Sequence, residues 1–258
     1  MAHGFGVDVG GSGIKGAPVD LDRGELAAER VRHETPQPAT PEAVCDTVAR
    51  VLEESGAPDG PFGLTLPSVV TSGIARSAAN IDPSWIGTDV RALVSERTGR
   101  QAYVVNDADA AGLAEVRFGA ARGVPGTVLV LTLGTGIGSA LVLDGRLVPN
   151  TELGHLELDG HDAETRASDA ARKRDDLSWE QWAQRLERYL RHVDGLLWPD
   201  LVVIGGGVSK KSEKWLHLLD VRPPVRPAEL LNDAGIVGAA LLAAEITDAG
   251  GSTPRSAD

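Results

Sequence analysis

Phe5-Gly6-Val7-Asp8-Val9-Gly10-Gly11-Ser12-Gly13-Ile14-Lys15-Gly16 is an apolar strand that runs into a glycine turn and leaves it as a second strand. Gly10, Gly11 and Gly13 let the backbone bend tightly and come close to a ligand. Such a turn leaves amide N–H groups facing a concavity suited to phosphate oxygens, with Ser12 as a further donor and Lys15 as the only cation. Asp8 ends the apolar run and faces the same turn. A carboxylate beside a phosphate cradle repels the ligand unless a divalent cation lies between them, so Mg²⁺ is implied at Asp8. A tight hairpin alone would explain the glycines, but not their bracketing by Asp8 and Lys15. The spacing fits neither a Walker loop nor a dinucleotide fingerprint, and the turn returns to a strand where those motifs open a helix.

Outward from this hairpin, Leu26 to Val31 is expected to add a third antiparallel strand. Thr40 and Pro41 read as the N-cap and first turn of a helix with a Val44, Val48, Val51, Leu52 stripe. Phe62 to Leu66 reads as a buried strand, followed by a polar loop with Ser77, Asn80, Asp82 and Trp85. Asp89 caps a helix that stops at Gly99. The strand Tyr103 to Val105 then delivers Asn106-Asp107 to the head of a helix over 108–118, where open α/β sheets hold ligands.

A second series echoes the first. Val128 to Leu133 is a strand, Gly134-Thr135-Gly136-Ile137-Gly138 a glycine turn, and Ser139 to Leu143 a returning strand. Asp144-Gly145 signals a hairpin. Ser178 caps a helix to about Leu197, and Leu201 to Ile204 is a strand ending in Gly205-Gly206-Gly207. Ala234 to Ile246 is an apolar, small-residue helix. The duplication implies an α/β protein of two related lobes facing across a cleft: 1–118 with the helix of 234–246 packed back on it, and 119–233, with 247–258 a disordered tail.

The 258 residues suffice for a substantial core, and 42% hydrophobic with 24% charged residues is ordinary for a globular chain. A net charge of −12 argues against nucleic acid or an anionic membrane as partner. Local charge is more informative: Lys15, Lys210, Lys211 and Lys214 all lie in or beside glycine-rich loops. The single cysteine, Cys45, excludes an internal disulfide and reads as helix packing. No leader or bilayer-length apolar run is evident, so a cytoplasmic location is the default expectation.

Asp107 can accept a proton from a substrate hydroxyl, although Asn and Asp at this position also serve commonly as helix caps. Glu152 and His155 can satisfy vicinal hydroxyls, each of which donates and accepts, with Glu164 nine residues beyond His155. His155 and His161 raise zinc as a rival, which the absence of a cysteine cluster and the spacing disfavour. Gly134-Thr135-Gly136 offers a second phosphate cradle. Gly205-Gly206-Gly207 with Ser209, Lys210 and Lys211 offers a third, in which the lysines suit a long anionic donor better than an apolar purine slot does.

The Asp8 to Lys15 loop, Asn106-Asp107, Leu133 to Gly138, Glu152 to His155 and Gly205-Gly206-Gly207 occur in the order seen in the ROK family of sugar kinases and repressors. The resemblance covers nearly the whole chain and implies an actin-like, ribonuclease-H-like sugar kinase fold. The cysteine-built ROK zinc segment is replaced by Leu156 to Ser168, so no zinc is expected, and no repressor-type helix-turn-helix is expected. Asp8 to Gly16, Val208 to Lys211 and Ala234 to Gly238 resemble the branch of the family that uses inorganic polyphosphate, often with ATP as a second donor.

Carried over, the resemblance makes Asp107 the base that takes the proton of a glucose 6-hydroxyl. It makes Asn80, Asn106, Glu152, His155 and Glu164 sugar ligands, and Asp8 the residue that places Mg²⁺. Gly10, Gly11, Ser12, Gly13, Lys15, Gly134, Thr135, Gly136, Gly205, Gly206, Gly207, Ser209, Lys210 and Lys211 would hold the donor. A homodimer is expected by the same resemblance. The rival readings are an ATP-only hexokinase for glucose, mannose or an N-acylated hexosamine, and a nonenzymatic sugar sensor or actin-like assembly protein.

Overall fold

The opening hairpin forms as its sequence dictates. In the computed structural model, which describes residues 3–78 and 81–250, β1 (His3–Val9) pairs antiparallel with β2 (Ile14–Asp20) from His3↔Asp20 to Val9↔Ile14. The expected third strand is instead two short ones, β3 (Glu25–Leu26) and β4 (Val31–His33), both on the outer edge of β2. Pro18 lies between the two paired stretches; its carbonyl accepts from Ala27 N–H on that edge, and it has no N–H to return.

Helix α1 (Pro41–Glu54) starts at Thr40, whose hydroxyl accepts from the Ala43 amide. β5 (Phe62–Leu66) follows, then the small hairpin β6 (Val70–Thr71) and β7 (Ile74–Ala75). Helix α2 (Val90–Thr98) is capped by Asp89 and ends at Gly99 in the left-handed region. β8 (Ala102–Asn106) leads into α3 (Asp107–Arg117). The sheet order is β3-β2-β1-β5-β8, with β4 also on β2 and with β1, β5 and β8 parallel. Phe5, Val7 and Val9 alternate onto one face of β1, where they pack with Val44, Val48 and Val51 of α1. Cys45 is buried in the same core, and burial pushes its thiol up to about 12. Trp85, read as part of a polar loop, is wholly buried there and donates its indole N–H to the Ala39 carbonyl.

The second series repeats the order. β9 (Thr127–Leu133), β10 (Ile137–Leu143) and β11 (Arg146–Val148) form an antiparallel meander. Residues 157–174 form the hairpin β12 (Glu157–Leu158) and β13 (His161–Asp162), then α4 (Glu164–Ala167) and α5 (Asp169–Arg174). Helix α6 (Trp179–Leu197) begins with a reciprocal Ser178–Gln181 capping box. β14 (Leu201–Gly206) and β15 (Val225–Pro227) complete the sheet order β11-β10-β9-β14-β15, the counterpart of β3-β2-β1-β5-β8. Trp182, Leu186 and Val193 of α6 pack against Leu129, Leu131 and Ile204, and the Trp182 ring meets Trp215 edge-on at 5.8 Å. The segment of 119–126, between α3 and β9, belongs to this body. Ala120 and Ala121 are buried in its core, and the Glu115 carboxylate accepts from the amides of Ala120, Glu229 and Leu230.

Contacts divide the chain into residues 1–110 joined by those from 233 onward, and residues 111–232. Helix α7 (Ala234–Asp248) returns to the first unit and runs two residues past the expected end at Ile246, so residues 247 and 248 are helical; 251–258 lie outside the described residues. It lies on the face of β1 and β5 opposite α1. The approach is close enough that a Cβ at Gly6 would be 1.9 Å from the Ile236 carbonyl oxygen, and one at Gly63 would be 1.8 Å from that of Ala239. Gly63→Ala is therefore expected to cost about 2 kcal/mol of unfolding free energy, read by denaturant titration. An unchanged midpoint would mean that α7 lifts from the sheet without loss.

Candidate active site

Each unit gathers polar side chains at its glycine turns. In the first, alternation along β1 sends Asp8 to the same face as Gly6, and the backbone at Gly235, in the first turn of α7, lies over it. A Cβ there would be 2.9 Å from Asp8 Oδ1. Thr65, wholly buried on β5, donates its hydroxyl to Asp8 Oδ1 at 2.8 Å and accepts the Val9 amide at 3.1 Å. Lys15, opposite Asp8 in the register, donates to Oδ2 at 3.0 Å. The turn is closed by Gly10 N–H on the Gly13 carbonyl at 3.0 Å, and Thr35 donates to the Gly10 carbonyl at 2.5 Å. Lys15 is not the only cation at the turn: Arg32, its neighbour on β4, donates to the Ser12 carbonyl at 3.0 Å.

Mg²⁺ takes one or two carboxylates, substrate oxygens and several waters. Asp8, a half-buried carboxylate beside the amides of the glycine turn, supplies a donor of that kind, so the residues present fit the ion. When bound, Mg²⁺ would neutralise charge on a phosphoryl group.

Asn106 is buried and is the N-cap of α3. Its Oδ1 accepts from the Ala108 and Asp109 amides at 2.9 and 3.1 Å, and its amide donates to the Ser68 carbonyl at 3.1 Å. The cap role open to either residue of the pair thus falls to Asn106. Asp107, half-buried in the first turn, accepts from the Ala108 amide at 2.9 Å. Asn80 lies outside the described residues.

In the second unit, Gly134 N–H closes the turn on the Gly136 carbonyl at 3.0 Å, and the Gly134 carbonyl accepts from Ala170 at 3.0 Å. Glu164 leans on this turn: its Oε2 accepts from Ile137 N–H at 3.0 Å, and a Cβ at Gly136 would be 2.2 Å from it. His155 Nδ1 pairs with Asp162 Oδ2 at 3.0 Å, and its Nε2 stands 3.9 Å from Glu152 Oε2. The hydrogen bond that His155 donates to Asp162 raises the His155 pKa above its ordinary value, with Glu164, Asp162 and Glu152 charges adding to it against desolvation. Desolvation raises the Glu152 pKa, opposed by His155 and reinforced by Glu164. His155, Asp162 and Glu164 each offer a ligand atom within 4.8 Å of the others. His161 is not part of that group; it meets Arg166 at 2.5 Å.

At the third turn, Ser209 is buried and donates to the Gly206 carbonyl at 2.8 Å, so its hydroxyl closes the turn. Lys210, Lys211 and Lys214 are exposed.

The sequence profile described as the ROK family matches residues 4–168. The chain belongs to the ROK family. It is 53% identical over 240 residues to the polyphosphate glucokinase of Mycobacterium tuberculosis (strain CDC 1551 / Oshkosh), covering 93% of this chain and 90% of that protein. The inorganic polyphosphate/ATP-glucomannokinase of Arthrobacter sp. strain KM superposes with a TM-score of 0.91 at 55% identity, covering 95% of this chain and 99% of the other. A ROK hexokinase from Thermus thermophilus superposes with a TM-score of 0.75 at 29% identity, over 96% of this chain and 100% of that one. The two units are the lobes of the actin-like sugar kinase fold shared by these ROK proteins. No described helix is long and apolar enough to cross a membrane.

In this ROK chain, the segment that lacks the cysteines holds His155 through Asp162, a residue whose pairing the sequence did not reveal. Its signal was present: Asp159-Gly160 is a hairpin dipeptide like Asp144-Gly145, and both residues adopt positive φ. Thr65 was also missed; a hydroxyl inside the apolar run Phe62 to Leu66 was the sign of a buried polar partner.

Proposed function

We infer that this chain is a polyphosphate-dependent glucokinase, which transfers the terminal phosphoryl group of inorganic polyphosphate, and of ATP, to the 6-hydroxyl of glucose. The observation that carries this is the 53% identity to a polyphosphate glucokinase over 93% of the chain. The clustered Glu152, His155, Asp162 and Glu164, and the glycine turns, are consistent with it.

In this reading Glu152 and His155 Nε2 bind sugar hydroxyls, and Asp162 fixes the imidazole by accepting from Nδ1. Asn106 shapes the sugar side by capping α3, and Asn80 joins the sugar ligands. Asp107 accepts the 6-hydroxyl proton as the oxygen attacks the terminal phosphorus. The bond from that phosphorus to its bridging oxygen breaks, and the donor leaves one phosphate shorter. The turns at Gly10 to Gly13, Gly134 to Gly136 and Gly205 to Gly207 bind donor oxygens through backbone amides, Thr135 adds a hydroxyl, and Mg²⁺ is placed by Asp8. The working form is a cytoplasmic homodimer; Leu196 and Trp198, 59% and 66% exposed, offer apolar surface for a second copy.

The direct test is glucose 6-phosphate formation with Mg²⁺, using long-chain polyphosphate free of ATP and ATP free of polyphosphate, with mannose as a parallel acceptor. Turnover with polyphosphate alone supports the reading. Activity with ATP alone leaves an ATP-only hexokinase. The exposed lysines give a second expectation: Lys210→Ala with Lys211→Ala raises the KM for polyphosphate about tenfold at low salt, and that for ATP by less than about threefold. The difference narrows as salt rises and screens the charges. Equal losses with both donors would remove the lysines from polymer binding.

A further inference from the structure

Asp8, Lys15 and Arg32 form a row across three adjacent strands, fixed by the pairs Asp8↔Lys15 and Lys15↔Arg32. Directly opposed residues of antiparallel strands point to the same face, so the row lies on one side of the sheet, beside the glycine turn. The charges along it are negative, positive and positive. Lys15 is bound at 3.0 Å to the carboxylate of Asp8, with only 22% of its side chain exposed, and these two charges offset one another. Arg32 is left as the net charge of the row. It is exposed, and among the described residues it has no carboxylate partner. One guanidinium nitrogen donates to the Ser12 carbonyl, and the group lies so near the turn that a Cβ at Gly13 would be 2.8 Å from its Nε and Nη2.

We propose that Arg32 is a donor-binding residue, whose guanidinium contacts phosphate oxygens of the donor held at the Gly10 to Gly13 turn. This rests on the reading of that turn as a phosphate cradle. A guanidinium presents five N–H donors in a planar fork. With one engaged by Ser12, others remain for an anion, and the Ser12 contact fixes the fork at the rim of the turn. Lys15 serves a different purpose here: it holds Asp8 in place and tempers its repulsion of the donor. The exchange of roles follows from register, because the residue opposite the carboxylate is spent on it and the next residue outward is not. Arg32 thereby supplies part of the local positive charge that a polyanionic donor needs on a chain of net charge −12.

The test compares Arg32→Gln, Arg32→Lys and Gly11→Val with the wild-type enzyme. It reads KM for polyphosphate and for ATP over a range of salt, and glucose affinity by calorimetry. Glutamine can still donate to the Ser12 carbonyl but carries no charge. Arg32→Gln is expected to raise KM for both donors about tenfold and to flatten its salt dependence, with glucose affinity unchanged. Arg32→Lys should restore the salt dependence and part of the affinity. Donor KM within about twofold of wild type in Arg32→Gln, alongside a raised KM in Gly11→Val, would overturn the role of Arg32 and leave the cradle standing. Unchanged KM in both variants would overturn the cradle and the inference together. A raised KM with wild-type salt dependence would overturn donor contact and leave Arg32 a support for the turn.

Discussion

Replacing Asp107 by alanine is expected to lower turnover about a thousandfold with either donor and to leave glucose affinity within about threefold. The expectation begins with Asn106. A helix start needs side-chain acceptors for its first amides, and Asn106 meets this need by accepting from both Ala108 and Asp109. Asp107 therefore is not required as the cap. It stands in the first turn of α3, where the helix dipole favours a carboxylate, at the end of the edge strand β8, which runs parallel to β5, where open α/β sheets bind ligands. In the proposed reading a base there takes the hydroxyl proton, while other residues hold the sugar. Loss of the base accordingly appears in kcat and not in binding. Steady-state kinetics with calorimetric glucose titration separates the two, and Asp107→Asn, which preserves shape and hydrogen bonding, should be as slow as alanine. Turnover within about tenfold of wild type would exclude Asp107 as the base.

The parts of this fold that local chemistry decides were legible in the sequence. Thr40-Pro41, Asp89 to Gly99 and Ser178 to Gln181 mark helix ends, because capping involves residues only a few positions apart. The strand, glycine turn, strand pattern was visible twice for the same reason. What escaped depends on partners distant in sequence. Thr65 meets Asp8 across 57 positions, and Arg32 meets Ser12 across 20. The division of β3 from β4 turns on which edge of β2 the Pro18 nitrogen faces, which the register decides and the composition does not. Trp85 sits among polar neighbours in sequence, yet its indole is carried into the core and satisfied by the Ala39 carbonyl 46 residues away. Asn106-Asp107 is intermediate: the pair was visible as either cap or base, and only the hydrogen bonds assign the cap to Asn106.

Glu152→Gln should weaken glucose binding about a hundredfold, equivalent to about 2.7 kcal/mol and within the range for hydrogen bonds to charged groups. Its pH behaviour follows from the surroundings. Desolvation raises the Glu152 pKa, so its carboxylate takes a proton at higher pH than an exposed glutamate would and stops serving as a full acceptor. His155, raised chiefly by its bond to Asp162, gains a proton on Nε2 as pH falls and loses its acceptor for the sugar. Both changes run in one direction: glucose affinity is steady at alkaline pH and declines on acidification through the raised values. Asp162→Asn removes the main cause of the His155 shift, so the His155 part of the decline should move to lower pH, while Glu152→Gln should abolish the glutamate part. Calorimetric glucose titrations across pH for the three proteins distinguish these steps. An acid limb that stays in place in Asp162→Asn and in Glu152→Gln would remove both groups from sugar binding.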